Sequence, residues 1–177
     1  MWLFPLSGSR IRGSRPRAVC ALAAAAVSIA AFAAADAQAA RNTRSDLADD
    51  LNQARIARGL PPLTLDPNLT RAAQSHSVDM IRRDYFLHTT GPGGASFWRR
   101  ILDFWHPDGS GMVGEVMAWG TQEQATNASA VARWLVSPSH RRIILSTAYT
   151  EMGIGIATGS FLSYGQATVW TVDLAAP

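Results

Sequence analysis

Met152-Gly153-Ile154-Gly155-Ile156-Ala157 and Thr168-Val169-Trp170-Thr171-Val172-Asp173-Leu174 are the two runs on which the fold turns. Both are short and β-rich, and a polar Gly/Ser loop joins them, so they read as an antiparallel hairpin. Gly153, Gly155 and Gly159 within this region form a G-x-G-x-x-x-G string. As a dinucleotide-binding fingerprint it fails on spacing and on the absence of a following helix. Small residues that let a helix approach the strand account for it better.

The segments before the hairpin have mostly helical period. Asp66-Pro67 reads as an N-cap followed by proline at the first helical position, which starts a helix running to about Arg83. Leu69, Ala73, His76 and Met80 share one face of it, which gives His76 a packing role. An earlier helix fits Ser45 to Arg58, with Ser45 as N-cap and Leu47, Leu51, Ala54 and Arg58 at helical spacing; Gly59 stops it and Pro61-Pro62 forbid its resumption. Residues 84–95 read as a loop: Gly91-Pro92-Gly93-Gly94 has no strand before it and no Lys-Ser/Thr after it, so it is no phosphate cradle. Ser96 can cap a short helix through Phe104, and a second glycine-rich loop spans Pro107 to Gly114. Glu123 to Val136 reads as a helix with Ala130, Val131, Trp134 and Leu135 on its apolar side; Ser137-Pro138 breaks it and starts another turn through Leu145. Helices first and strands last, with a few short strands between, predict an α+β fold in which helices cover a small antiparallel sheet.

A length of 177 residues suits one domain with short extras. The net charge of +3 is confined to the N-terminus. Arg10, Arg12, Arg15 and Arg17 precede an uncharged run from Ala18 to Ala35, and from residue 40 on arginines and acids balance, so no basic patch points to nucleic acid. The basic start, the Ala-rich run and Ala37-Gln38-Ala39 have the layout of a secretory signal peptide, residues 1–39, cleaved near Ala39. The competing reading is a membrane anchor, but eleven of the 18 uncharged residues are the weakly apolar Ala. Residues 40–44 then form a short lead-in, and 45–177 the domain. Cys20 is the only cysteine, so the mature chain has no disulfide, cysteine nucleophile or thiolate metal site. Every basic residue is Arg, which excludes a Schiff-base lysine.

The chemistry that remains belongs to histidines and acids. His88 follows Tyr85-Phe86-Leu87, Glu115 sits in Gly114-Glu115-Val116, and His140 ends Ser137-Pro138-Ser139-His140. All three lie at element ends, where functional side chains concentrate. Two imidazoles and a carboxylate can hold zinc and leave a position for water, or move protons near neutral pH. Their separations are too long for a local metal motif, and an isolated loop histidine is commonly a surface or capping residue. His106 fits a turn. Ser139-His140 and Ser75-His76-Ser77 set hydroxyls beside imidazoles, but sequence neighbours rarely face each other, and no Gly-x-Ser-x-Gly elbow exists.

Several motifs recur in a fixed order: Leu51-Asn52-x-x-Arg55, Gly59-Leu60-Pro61-Pro62-Leu63, Ala72-Ala73-x-x-His76-Ser77-x-Asp79-Met80, Tyr85-Phe86-x-His88 and Arg100-Ile101. Gly114-Glu115, Trp134-x-x-Ser137-Pro138-x-His140-Arg141 and Tyr149-Thr150-Glu151-Met152-Gly153-Ile154-Gly155 follow. Together they resemble the cysteine-free bacterial branch of the CAP superfamily, or SCP domain, whose eukaryotic relatives are the cysteine-rich secretory, venom-allergen and plant pathogenesis-related proteins. The resemblance covers about residues 45–174. It implies an α-β-α sandwich with helices on both faces of a small antiparallel sheet, and a cleft lined by two His and one or two acids, here His88, Glu115 and His140. Some members of that family bind a divalent metal there, and some bind sterols or fatty acids in other grooves. Two positions depart from the pattern: Val116 stands where many relatives have Asn, and Ser137 where many eukaryotic members carry a second Glu.

The sequence therefore leads to an exported, monomeric binding module for a small apolar or cell-envelope ligand, with zinc or another divalent ion as candidate cofactor on His88, His140 and Glu115. No nucleic acid and no membrane span of the mature chain are expected. Trp98, Trp105, Trp119 and Tyr85 either line a groove for an apolar ligand or a sugar, or pack in the core. The alternative is a metal-dependent hydrolase of envelope peptide, glycan or lipid, with Glu115 as base. A third reading makes the surface a partner site and the cleft a relic.

Overall fold

A computed structural model describes residues 43–107 and 111–177. The expected signal peptide and the first part of the lead-in lie outside these residues. Helix α1 (Arg44–Ile56) has its N-cap two residues before the expected one. Thr43, not Ser45, is the N-cap: its hydroxyl accepts from the Asp46 N–H at 3.1 Å, and the Asp46 carboxylate accepts from the Thr43 N–H at 3.1 Å. This reciprocal pair is what decides between two residues of equal capping type. Strand β1 (Thr64–Leu65) follows, then helix α2 (Pro67–Arg83), where the Asp66 carboxylate accepts from the N–H groups of Asn68 and Leu69 as expected. Helix α3 (Phe97–Leu102) is shorter than its apolar run suggested, and Ser96 stands at its N-cap without a side-chain bond.

Strand β2 (Met112–Gly120) occupies the end of the expected glycine-rich loop and the residues beyond it. Both of its faces are covered, so its apolar run lacks the alternation that marks a half-buried strand. A 3-10 turn, Gln122–Gln124, takes the first residues of the next expected helix, and Thr126 caps α4 (Asn127–Val136) through a bond from the Ser129 N–H. Helix α5 (Pro138–Ile144), then β3 (Glu151–Phe161) and β4 (Tyr164–Ala176), complete the fold. The last two form the expected hairpin, longer at each end and closed at Leu162-Ser163, both with positive φ.

The sheet order is β1-β3-β4-β2. The three long strands are antiparallel, and β1 lies parallel to β3 along one edge, so the sheet is mixed by two residues. Even positions of β4 (Trp170, Val172, Leu174) meet Leu47 and Leu51 of α1, Ala130 and Trp134 of α4 and Ile144 of α5. Odd positions face the other way: Val169 clusters with Met80 of α2, and Ala175 with Leu69 of α2 and Ile101 of α3. That alternation makes the α-β-α sandwich and buries β4 continuously from Ala167 to Ala175. Arg55, fully buried, ties one layer together: its guanidinium donates to the carbonyls of Pro61, Ile144 and Ser146.

The glycine string on β3 does what spacing suggested. A Cβ on Gly153 would stand 2.0 Å from the Leu69 backbone carbon of α2, and one on Gly155 2.2 Å from that of Ala73. Helix backbone cannot yield as a flexible side chain does. Gly155→Ala is therefore expected to lower unfolding free energy by about 3 kcal/mol in urea denaturation, whereas Gly165→Ala, with open space around it, should stay near wild type.

His76 has the packing role its helix face predicted. It is fully buried, and its Nε2–H donates to the Leu87 carbonyl at 2.9 Å, tying the following loop to α2. Burial, assisted by the Arg100 charge, pushes its pKa down to about 4. The unfolded chain then binds the proton first, so stability is lost as pH falls from about 6.5 to about 4, by up to about 3 kcal/mol. Over that window a His76→Leu variant should show a correspondingly smaller loss in denaturation midpoint.

Candidate functional site

Glu115 sits on β2, on the sheet face covered by α2 and α3, and its side chain is wholly buried. An ion there must be paired and hydrogen-bonded. Arg100 of α3, 5% exposed, supplies the charge: its Nη2–H donates to Glu115 Oε2. The same guanidinium donates through Nη1 to the His88 carbonyl at 3.1 Å. His88 closes the set from the loop between α2 and α3, with Nδ1 2.7 Å from Glu115 Oε1. An ionised carboxylate only accepts, so Nδ1 carries the hydrogen and Nε2 is left with its lone pair in the neutral ring. The His88 side chain is about half exposed, so the network runs from a dry charge out to solvent.

His140 arrives from the other layer, on α5. Its Nδ1 shares a hydrogen bond with Ser137 Oγ at 2.8 Å, and Ser137 Oγ also lies 3.1 Å from Ser139 Oγ. Burial lowers the His140 pKa, and a proton on His88 would lower it further. The two imidazoles are anchored by different partners, Glu115 and Ser137. Ser137 is the group that fixes His140; Val116 is buried on the opposite face of the sheet and takes no part.

The structure therefore brings His88 and Glu115 into contact and sets His140 apart from Glu115. Among the described residues no three His, Cys, Asp or Glu side chains are placed to share a metal ion. Both Glu115 oxygens are engaged, which makes this residue the orienter of His88 and not an open ligand. The donors that fit a divalent ion are Nε2 of His88 and of His140, each on a ring whose other nitrogen is held.

Beside His140 a groove of about 640 Å³ is lined by residues that include Phe86, Trp119, Arg133, Ser137 and Tyr164. Trp119 stacks at a tilt on Tyr164, ring centroids 5.4 Å apart, and edge-on with Phe161 at 5.7 Å. Of the four aromatics considered from sequence, only Trp119 lines this groove. Trp105 is buried and donates to Glu151, Tyr85 is buried and donates to Asp79, and Trp98 is exposed against Arg99. Packing claims Trp105 and Tyr85 because each must satisfy a polar atom inside the protein.

Two residues of the site went unread in the sequence. Arg100 lay in a quoted motif without a role. Asp173 lay in an expected strand; it is fully buried and pairs in register with Glu115 across β2 and β4. The signal was there: an acid inside the run Val169–Leu174, which is otherwise suited to a central strand.

A sequence profile of the Cysteine-rich secretory protein family, CAP, matches residues 48–174. The chain is 33% identical over 112 residues to the uncharacterized protein YkwD of Bacillus subtilis, a match that takes in 62% of this chain and 40% of that protein. The chain thus spans less than half the length of that relative. Among solved structures, an extracellular protein containing a SCP domain from Bacillus anthracis aligns with a TM-score of 0.60 at 24% identity, over 75% of this chain and 40% of that one. An outer surface protein of Borrelia burgdorferi aligns with a TM-score of 0.55 at 22% identity, over 72% of this chain and 88% of that one. At such identities the likeness is one of fold.

The pairing of Glu115 can be tested by breaking it from one side. Arg100→Met leaves a buried carboxylate without its cation and should cost about 3–5 kcal/mol in urea denaturation. Arg100→Met combined with Glu115→Leu removes both charges and should recover a large part of that loss.

Proposed function

The chain belongs to the CAP, or cysteine-rich secretory protein, family, and on that premise we propose that it is an exported module that binds a cell-envelope ligand in the cleft between His88 and His140. The observation that carries this reading is the anchoring of the two imidazoles. Glu115 holds Nδ1 of one and Ser137 holds Nδ1 of the other, so both rings are set before anything enters. The groove of about 640 Å³ beside His140 offers a stacked Trp119–Tyr164 pair for the apolar part of a ligand. Export is supported by the signal-like N-terminus and by the extracellular and outer-surface descriptions of two structural relatives.

The same two rings suit a divalent metal such as zinc, which when bound would supply a Lewis-acid position open to water or a ligand oxygen. His88 and His140 would hold it, and Glu115 and Ser137 would keep their rings in place. The hydrolase reading asks Glu115 to take a proton as well. Its two oxygens are committed to Arg100 and His88 inside a dry site, which favours binding over proton abstraction by this residue.

Calorimetric titration of zinc into the purified protein, beside the His88→Ala/His140→Ala double variant, tests the cleft. One-to-one binding is expected, lost in the variant while its thermal midpoint stays close to wild type. Binding unchanged in the variant would remove the metal from this cleft, and the ligand would then be sought among lipids and cell-wall fragments alone.

A further inference from the structure

We propose that Asp173 carries its proton in the folded protein and is a positioning residue of the His88–Glu115 pair, donating its O–H to the Glu115 carboxylate. The inference concerns how the pair is held and stands whatever the cleft binds.

Glu115 and Asp173 face each other across the β2–β4 ladder, and Gly153 follows in the same row on β3. Directly opposed residues have Cβ atoms about 5 Å apart. Neither carboxyl group is exposed. The charged and titratable groups around them can be counted element by element. α3 supplies Arg100, committed to Glu115 and to the His88 carbonyl. α2 supplies His76, which burial keeps neutral. The loop supplies His88, committed to Glu115. β3 supplies Gly153, with nothing to titrate.

With the half-exposed His88 ring neutral, two carboxylates against one guanidinium leave an uncompensated charge in a dry site, and a proton on one of the two removes it. Glu115 accepts two charge-assisted bonds and is the better place for the charge. Among the described residues neither Asp173 oxygen accepts a hydrogen bond. An ionised Asp173 would need donors, and none is found among them. A neutral one needs a single acceptor, and Glu115 stands opposite. Burial first, and then the Glu115 charge, raise the Asp173 pKa well above the usual carboxylate range. A third bond, from the strand opposite, then restrains the Glu115 carboxylate together with Arg100 and His88. Through Glu115 it fixes the hydrogen on His88 Nδ1 and leaves Nε2 toward the cleft.

Carboxyl carbon NMR on the full protein reads the proton directly. At pH 7 the Asp173 side-chain carbon, assigned by its loss in Asp173→Asn, is expected at the protonated position; a carboxylate position would overturn the proposal. Linkage gives an independent reading. A raised folded pKa means that stability is fullest below about 3.8 and is lost as pH rises, because folding must then take up a proton. The amide in Asp173→Asn cannot ionise. The folding constant of the wild type should fall relative to that variant by up to tenfold per pH unit above about pH 4. A ratio independent of pH would refute the assignment. The positioning role is read on His88 by nitrogen NMR. Asp173→Asn, which keeps a donor, should retain the Nδ1–H tautomer, and Asp173→Leu should mix the two tautomers. An unmixed tautomer in folded Asp173→Leu would reduce Asp173 to packing, and the carbon NMR result stands even if that variant does not fold.

Discussion

Glu115 sets a condition that the surrounding layers meet. An ionised carboxylate taken out of water loses several kcal/mol of hydration, and only close cations and donors offset it. Arg100 and His88 come from outside the sheet, so α3 must lie where Arg100 reaches β2, and the loop before it must bring His88 to the carboxylate. The loop is held for that purpose at two carbonyls: Leu87 accepts from buried His76, and His88 accepts from Arg100. The sandwich supplies the other half of the arrangement. With α2 and α3 over the sheet, water is kept from the charge, and each of its hydrogen bonds gains strength.

The row Gly153–Asp173–Glu115 shows how one sheet face serves packing and chemistry together. At Gly153 the backbone of α2 comes so near that no side chain fits. One strand over, a short Asp fits. Two strands over, at β2, there is room for Glu and for the guanidinium that reaches it. Side-chain size rises across the row as the sheet passes from beneath α2 toward α3. A helix set farther from β3 would leave space at Gly153 and Gly155, and the dry wall behind Asp173 would be lost. The close approach that reads as a packing device is thus also what keeps the two acids from water.

Much of this was legible because it is local. Asp66-Pro67 announces α2, Ser137-Pro138 separates α4 from α5, and the two C-terminal runs announce the hairpin. The α+β class followed from those elements, and the order of motifs put forward His88, Glu115 and His140, of which the fold brings His88 and Glu115 into contact. What stayed hidden depends on pairing across distance. β2 is covered on both faces, so its residues do not alternate and its first part passes for loop. Arg100 lies 15 residues from Glu115, and Asp173 lies 58 residues beyond it, distances over which periodicity says nothing. The role of Ser137 was hidden for a different reason: Ser137-Pro138 reads as a helix break, and only the fold turns the Ser137 hydroxyl to His140. The groove aromatics illustrate the same limit. Tyr85, Trp105 and Trp119 are alike in sequence, and only the tertiary fold decides which of them is buried against a carboxylate that takes its polar hydrogen.

The two imidazoles also differ in what holds them. His140 is fixed by a residue three positions away on the same turn, so its geometry survives as long as α5 does. His88 is fixed by Glu115, whose charge is paired by Arg100 on another element. Loosening the α2–sheet packing therefore shifts His88 before it shifts His140, and the separation of the rings becomes a property of the core and not of the cleft. A ligand or ion that bridges both rings would draw on that coupling. It would bind the state in which the buried charges are paired, and by mass action stabilise the sandwich that pairs them.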